Sequence, residues 1–146
     1  MDVWELAVRE QVRDTLASYN HAGDRFRVAE LAACFTEDGV LEIRGGGSAT
    51  GRSDIVSMLS GARRDPDPGA EVPVIRHFVS NVRLSDVTPE RLRAEAYFQV
   101  LTQHGLDHWG RYRDVWAPTE EGWRIAHRLV IVDGMVPEGW YAASLE

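Results

Sequence analysis

The chain has 146 residues, 44% of them hydrophobic and 27% charged, and a formal net charge of −7. This length suits a single domain over residues 1–146 with a buried core, and the composition excludes a disordered chain. The acidic balance argues against nucleic-acid binding, which needs a basic stripe, and against docking on anionic lipid; a small-molecule partner stays open.

The N-terminus, Met1-Asp2-Val3-Trp4-Glu5, has neither the basic nor the apolar region of a signal peptide. No apolar run approaches the ~20 residues of a membrane helix. The lone cysteine, Cys34, allows no intrachain disulfide, which suits a reducing compartment. A cytoplasmic protein is expected, with Cys34 a small core residue in Leu31-Ala32-Ala33-Cys34-Phe35.

Residues 3–20 read as a first helix, because Val8, Val12, Leu16 and Tyr19 recur at helical spacing. Gly23 is expected to break it. A second helix is expected over residues 25–35, with Asp24 at its N-cap position. Val40-Leu41-Glu42-Ile43 reads as a short strand and Gly45-Gly46-Gly47 as a turn. Ser53 is placed to cap a third helix, with Ile55, Met58 and Leu59 turned inward and a loop over residues 63–69 after it.

The second half alternates as strands do, over residues 74–84, 93–104, 108–116 and 123–132. Turn signals separate them, so short antiparallel hairpins are expected. Helices followed by an antiparallel meander define an α+β fold. A strongly curved sheet with helices across its mouth makes a cone, and an unfilled cone is a pocket. The tail over residues 133–146 either closes that pocket or packs as a C-terminal strap.

Histidine titrates near neutral pH, so the five histidines come first as candidates. His77 shares a strand face with Val79 and Asn81, a plausible pocket wall. His104 and His108 flank one hairpin end; with no third ligand spaced to match, no metal is expected there. His127 alternates with Ile125 and Leu129 and so is expected to face inward. His21 is expected to be exposed. Asp24 lies between two helices that must cover the open end of the sheet. If its carboxylate points into the cone it can hold one ring nitrogen of His77 and leave the other as a base.

The segments Tyr19 through Asp24, Leu31 through Gly39, Gly51-Arg52, Arg76-His77-Phe78-Val79-Ser80-Asn81, Gly110-Arg111-Tyr112-Arg113-Asp114 and Gly122-Trp123-Arg124-Ile125 follow one another in a familiar order. Over nearly its whole length the chain resembles the SnoaL-like branch of the NTF2-like superfamily. The resemblance implies an NTF2-like cone, a strongly curved antiparallel sheet covered by N-terminal helices. It includes dehydratase and dehydrochlorinase members of the scytalone dehydratase and hexachlorocyclohexane dehydrochlorinase type, which use a His–Asp pair to abstract a proton. Asp24 and His77 are similar to that pair, and His104 is similar to a second pocket histidine. Tyr19 is similar to a pocket tyrosine.

Together these readings give a cofactor-independent lyase or isomerase, dehydratase- or cyclase-like, acting on a small hydrophobic molecule. Asp24, His77 and His104 are the expected catalytic set. Tyr19, Asn81, Tyr97, His108, Tyr112 and His127 are the expected substrate contacts. The alternative is a non-catalytic ligand-binding protein or a small subunit of a ring-hydroxylating dioxygenase. Trp109, Val115, Val130 and Val132 are expected on the outer sheet face, where they would suit a homodimer.

Overall fold

The computed structural model describes residues 1–61 and 67–146. Of the loop expected over residues 63–69, residues 63–66 lie outside the described ones.

Helix α1 spans Val3–Asp24 and is opened by Asp2, whose side chain accepts a hydrogen bond from the Glu5 N–H. The stripe Val8, Val12, Leu16 and Tyr19 is buried as its spacing predicts. Gly23 does not end the helix. A helical glycine costs only about 1 kcal/mol, and a Cβ there would already touch Leu31 at 3.4 Å. The chain instead turns at Phe26, which takes the left-handed conformation at φ 58°.

Helix α2 is a single turn, Val28–Ala32, so the expected helix over residues 25–35 is mostly wrong. Its N-cap is Arg27, which makes no side-chain capping bond. Asp24 is therefore not a cap: it is the last residue of α1, and its carboxylate is used elsewhere. Phe35 opens strand β1, Phe35–Ile43. Cys34 is buried, as expected, and burial pushes its thiol pKa up.

A glycine turn leads into β2, Ser48–Thr50, which pairs antiparallel with β1. Helix α3, Arg52–Gly61, begins before Ser53 and fully buries Ile55. Then come β3 (Arg76–Ser85), β4 (Leu92–Thr102), β5 (Gly105–Thr119), β6 (Gly122–Met135) and a short α4 (Trp140–Ser144). No helix is long and apolar enough to cross a membrane among the described residues.

The six strands run in the order β2-β1-β6-β5-β4-β3. Three hairpins give the expected antiparallel meander from β3 to β6. The pairing of β1 with β6 is parallel and is not visible in local sequence, because no short turn joins these strands. Register shifts interrupt the β3–β4, β4–β5 and β5–β6 ladders. Each bulge bends its strand and strengthens the twist, which curves the open sheet into a cone around α1.

The inner face carries the core. On β4, buried Leu92, Ala94, Ala96, Phe98 and Val100 alternate with exposed neighbours. Tyr97 is one of those neighbours and lies on the outer face, so it is not a pocket tyrosine. At Gly110 on β5 a Cβ would collide with the Ile131 carbonyl and come within 2.8 Å of Phe98, so this close approach admits only glycine. Trp109 is partly exposed on the outer face as expected. Val130 and Val132 are not there, because they pack against the core. That removes half of the apolar surface expected for a homodimer.

Candidate functional site

The tip of α1 lies against β3, and this brings together two residues 53 apart in sequence. His77 Nδ1 is 2.5 Å from Asp24 Oδ1. The His77 backbone N–H also donates to both Asp24 oxygens, each at 3.2 Å. A carboxylate only accepts, so Nδ1 carries the proton and the neutral ring keeps its lone pair at Nε2. Nε2 makes no hydrogen bond to any described residue. The side chains of His77 and Asp24 remain 22% and 12% exposed, so the pair is sheltered yet still reaches solvent.

Beneath α1, on the same inner face, lies a second polar group. Arg128 on β6 and Asp114 on β5 form a fully buried ion pair, with Nε and Nη2 donating at 2.9 and 2.7 Å. Trp116 Nε1 also donates to Asp114. The guanidinium is held between the rings of Tyr19, 4.3 Å away, and Tyr112, 3.9 Å away. Burial opposes its charge, but the charge and hydrogen bonds of Asp114 outweigh that and push the Arg128 pKa up. Burial also raises the pKa of both Tyr19 and Tyr112. Each therefore stays protonated, and the Tyr112 hydroxyl donates to Asn20 Oδ1 at 3.4 Å.

A third polar group closes the far side of the inner face. His108 on β5 is buried, its Nδ1 is 2.8 Å from Asp107 Oδ2, and Tyr141 of α4 stacks on its ring at 4.4 Å. Burial is the largest influence and lowers its pKa below the ordinary 6.5; the His77 charge acts in the same direction and Asp107 opposes it. The unfolded chain therefore binds this proton at a higher pH than the folded one. Between the lowered value and 6.5 the unfolded state holds more protons, so this contribution to stability is lost as pH falls through that window. Urea unfolding checks it: the midpoint of wild type is expected to drop more between pH 7 and pH 5 than that of His108→Phe.

Several expected site residues lie elsewhere. His104 sits in the exposed β4–β5 turn, with Nε2 2.7 Å from Glu71, and does not converge with His77 or His108. Asn81 adopts φ 56° at the β3 bulge and is exposed, while Val82 takes the inward position. His127 is displaced by a bulge at Ala126: Ile125 pairs with Trp116, but His127 pairs with Val115. Arg128 then faces inward, and His127 turns outward to Glu42 at 3.0 Å. Sequence reading missed Asp107, Asp114 and Arg128 as site-forming groups. Asp114 carried a signal, since it follows His108, Gly110 and Tyr112 on one face; Arg128 carried none, because the bulge hides its face. Two depressions among the described residues lie away from Asp24 and His77. One is on the outer sheet face around Tyr97, Gln99 and Trp109, and the other lies between α1 and Arg124.

A cone of this topology with polar groups gathered under its first helix defines an NTF2-like protein. The SnoaL-like domain family matches residues 4–129, and the chain belongs to that family, whose members include polyketide cyclases and dehydratases. A Catenulispora acidiphila structure in complex with S-DNPA is 28% identical, with a TM-score of 0.74 over 88% of this chain and 95% of that one. ActVI-ORFA of Streptomyces coelicolor shares the fold at 23% identity and TM-score 0.76, over 87% and 98%. So does a candidate scytalone dehydratase from Novosphingobium aromaticivorans, at 19% and 0.75, over 90% and 88%. No curated protein matches the sequence significantly.

Proposed function

We propose that this protein is a cofactor-independent acid–base enzyme of the dehydratase, isomerase or cyclase kind, acting on a small hydrophobic organic molecule. The observation that carries the proposal is the 2.5 Å contact between His77 Nδ1 and Asp24. It orients the ring and leaves Nε2 as a general base. Nε2 takes a proton from a carbon next to a carbonyl, and the electron pair moves into that carbonyl as an enolate. The enolate then expels a β-hydroxyl, which leaves as water with the proton returned by the His77 imidazolium, or is reprotonated at another carbon by that imidazolium, or attacks a second carbonyl whose oxygen takes the proton. Asp24 stabilises the imidazolium formed in the first step, and Val79, which shares the inner face of β3 with His77 and packs against the core, suits an uncharged substrate.

The experiment is α-proton exchange of 2-tetralone in D2O, followed by NMR with and without the protein. A positioned general base contributes roughly 10²–10⁴-fold, so exchange well above the buffer rate is expected. Exchange at the buffer rate would overturn the reading and leave the competing use of the fold, a non-catalytic ligand holder.

A further inference from the structure

The depression on the outer sheet face takes no part in the chemistry above, because the sheet itself stands between it and the pair Asp24–His77. It encloses about 460 Å³, within the ~300–1,000 Å³ usual for small-molecule sites. Two cross-strand rows form its floor. Ser80 pairs with Tyr97 and Tyr97 with Arg111; Gln99 pairs with Trp109 and Trp109 with Gly134. Alternation along β3, β4 and β5 sends these side chains outward.

Trp109 is seated by the backbone. An added Cβ at Gly134 would collide with its six-membered ring, so the indole rests in space that any side chain there would fill. It still remains 38% exposed, and Tyr97 56%. Tyr97 is the diagonal neighbour of Trp109; such residues lie about 7–8 Å apart, close enough for one six-membered ring to touch both. The polar rim carries no net charge. Arg111 donates from Nε and Nη2 to Asp133 at 3.0 and 3.2 Å, so the two charges cancel while Nη1 stays available. The Gln99 amide and the Ser80 hydroxyl bond to no described residue. Donors and acceptors thus stand side by side around two aromatic rings.

We propose that this outer depression is a saccharide site that takes a neutral β-glucopyranosyl ring, and that it is independent of the acid–base site. A pyranose with every hydroxyl equatorial has axial C–H bonds on both faces. These carry a slight positive charge that suits the negative faces of indole and phenol. Its hydroxyls point outward in the ring plane, where Gln99, Ser80, Arg111 and Asp133 both give and take hydrogen bonds. An anion gains little from a guanidinium that Asp133 already neutralises and is repelled by a chain of net charge −7. A flat hydrocarbon covers the same rings but strips water from the Gln99 amide and the Asp133 carboxylate and replaces it with nothing.

The test titrates methyl β-D-glucopyranoside into the protein while NMR follows the Trp109 indole N–H and the transfer of saturation to the ligand. Binding in the millimolar range is expected, with the Trp109 signal moving and the axial C–H protons receiving most saturation. Sorbitol, which has the hydroxyls but no flat C–H face, is expected to leave Trp109 unmoved. Trp109→Ala is expected to weaken binding about tenfold, the combined loss of ring contact and burial. Should that variant fail to fold, Tyr97→Ala, changed at an exposed side chain, is expected to weaken it likewise. Cellobiose distinguishes the source: tighter binding than the single ring assigns a glucan chain, equal binding a lone glucosyl group, and both uphold the site. A Trp109 signal that stays still at tens of millimolar glucoside, an equal response to sorbitol, or unchanged affinity in the variants would each overturn the inference. So would a dimeric mass by light scattering that Trp109→Ala abolishes, with no response to the glucoside, since a second copy would then occupy this face.

Discussion

Asp114→Ala is expected to destabilise the protein by about 3–5 kcal/mol, because it leaves the Arg128 guanidinium charged, buried and uncompensated. The side chains of Arg128 and Asp114 are 0% and 2% exposed, so water cannot take over. A loss of that size is a large share of the 5–15 kcal/mol that holds a typical domain folded. The double variant Asp114→Leu with Arg128→Met removes both charges at similar volume and is expected to recover most of the loss. Urea unfolding measures both. A single-variant loss under about 1 kcal/mol would mean that the guanidinium finds another acceptor, and the pair would then not be the anchor described here. The consequence reaches the site as well. Tyr19 rests on Arg128, Asn20 receives the Tyr112 hydroxyl, and Asp24 follows Asn20 by one helical turn. Loosening this contact loosens the tip of α1 that carries Asp24.

Asp24→Asn is expected to abolish most of the proton-abstraction activity, by about 10³–10⁴-fold, while His77→Gln removes the base itself and falls at least as far. The reasoning rests on the tautomer. An asparagine amide directed at Nδ1 can donate its N–H there, which shifts the imidazole proton to Nε2. The nitrogen facing the substrate then holds a proton and cannot take one. The backbone N–H of His77 still finds the asparagine carbonyl, so folding is expected to survive. Two measurements check this: the 2-tetralone exchange rate, and the nitrogen spectrum of His77, in which the protonated nitrogen should change from Nδ1 to Nε2. A variant that keeps wild-type exchange would show that Asp24 does not orient the base.

Much of the architecture was legible locally. Val8, Val12, Leu16 and Tyr19 declared the buried face of α1, and alternation along residues 93–104 declared β4, because both patterns follow from backbone periods of 3.6 and 2. The glycine and proline turns declared the hairpins from β3 to β6. The pairing of Asp24 with His77 was legible only as a resemblance, since two residues 53 apart meet through the packing of α1 on β3 and not through any local rule.

The errors have one main cause. Strict alternation predicts Asn81 and His127 to face inward, and each lies beside a bulge that adds one residue and exchanges the two faces beyond it. The same shift brought Arg128 to the bottom of the cone. Asp24 looked like a cap because its spacing allowed one, yet a sheltered histidine offered its carboxylate two donors that the next helix did not. His104 looked like a pocket residue because it ends a strand, but the strand stops first and the turn carries it into solvent beside Glu71.

By itself, the sequence determined α1, α3 and the strands β3 to β6, the apolar faces of α1 and β4, and to which family the pattern is similar. Those properties depend on residues within a few positions of one another. Only the tertiary structure decided where β1 pairs, which way a strand faces after a bulge, and which carboxylate meets which histidine, because those outcomes depend on curvature accumulated along the whole sheet and on contacts that no local period encodes.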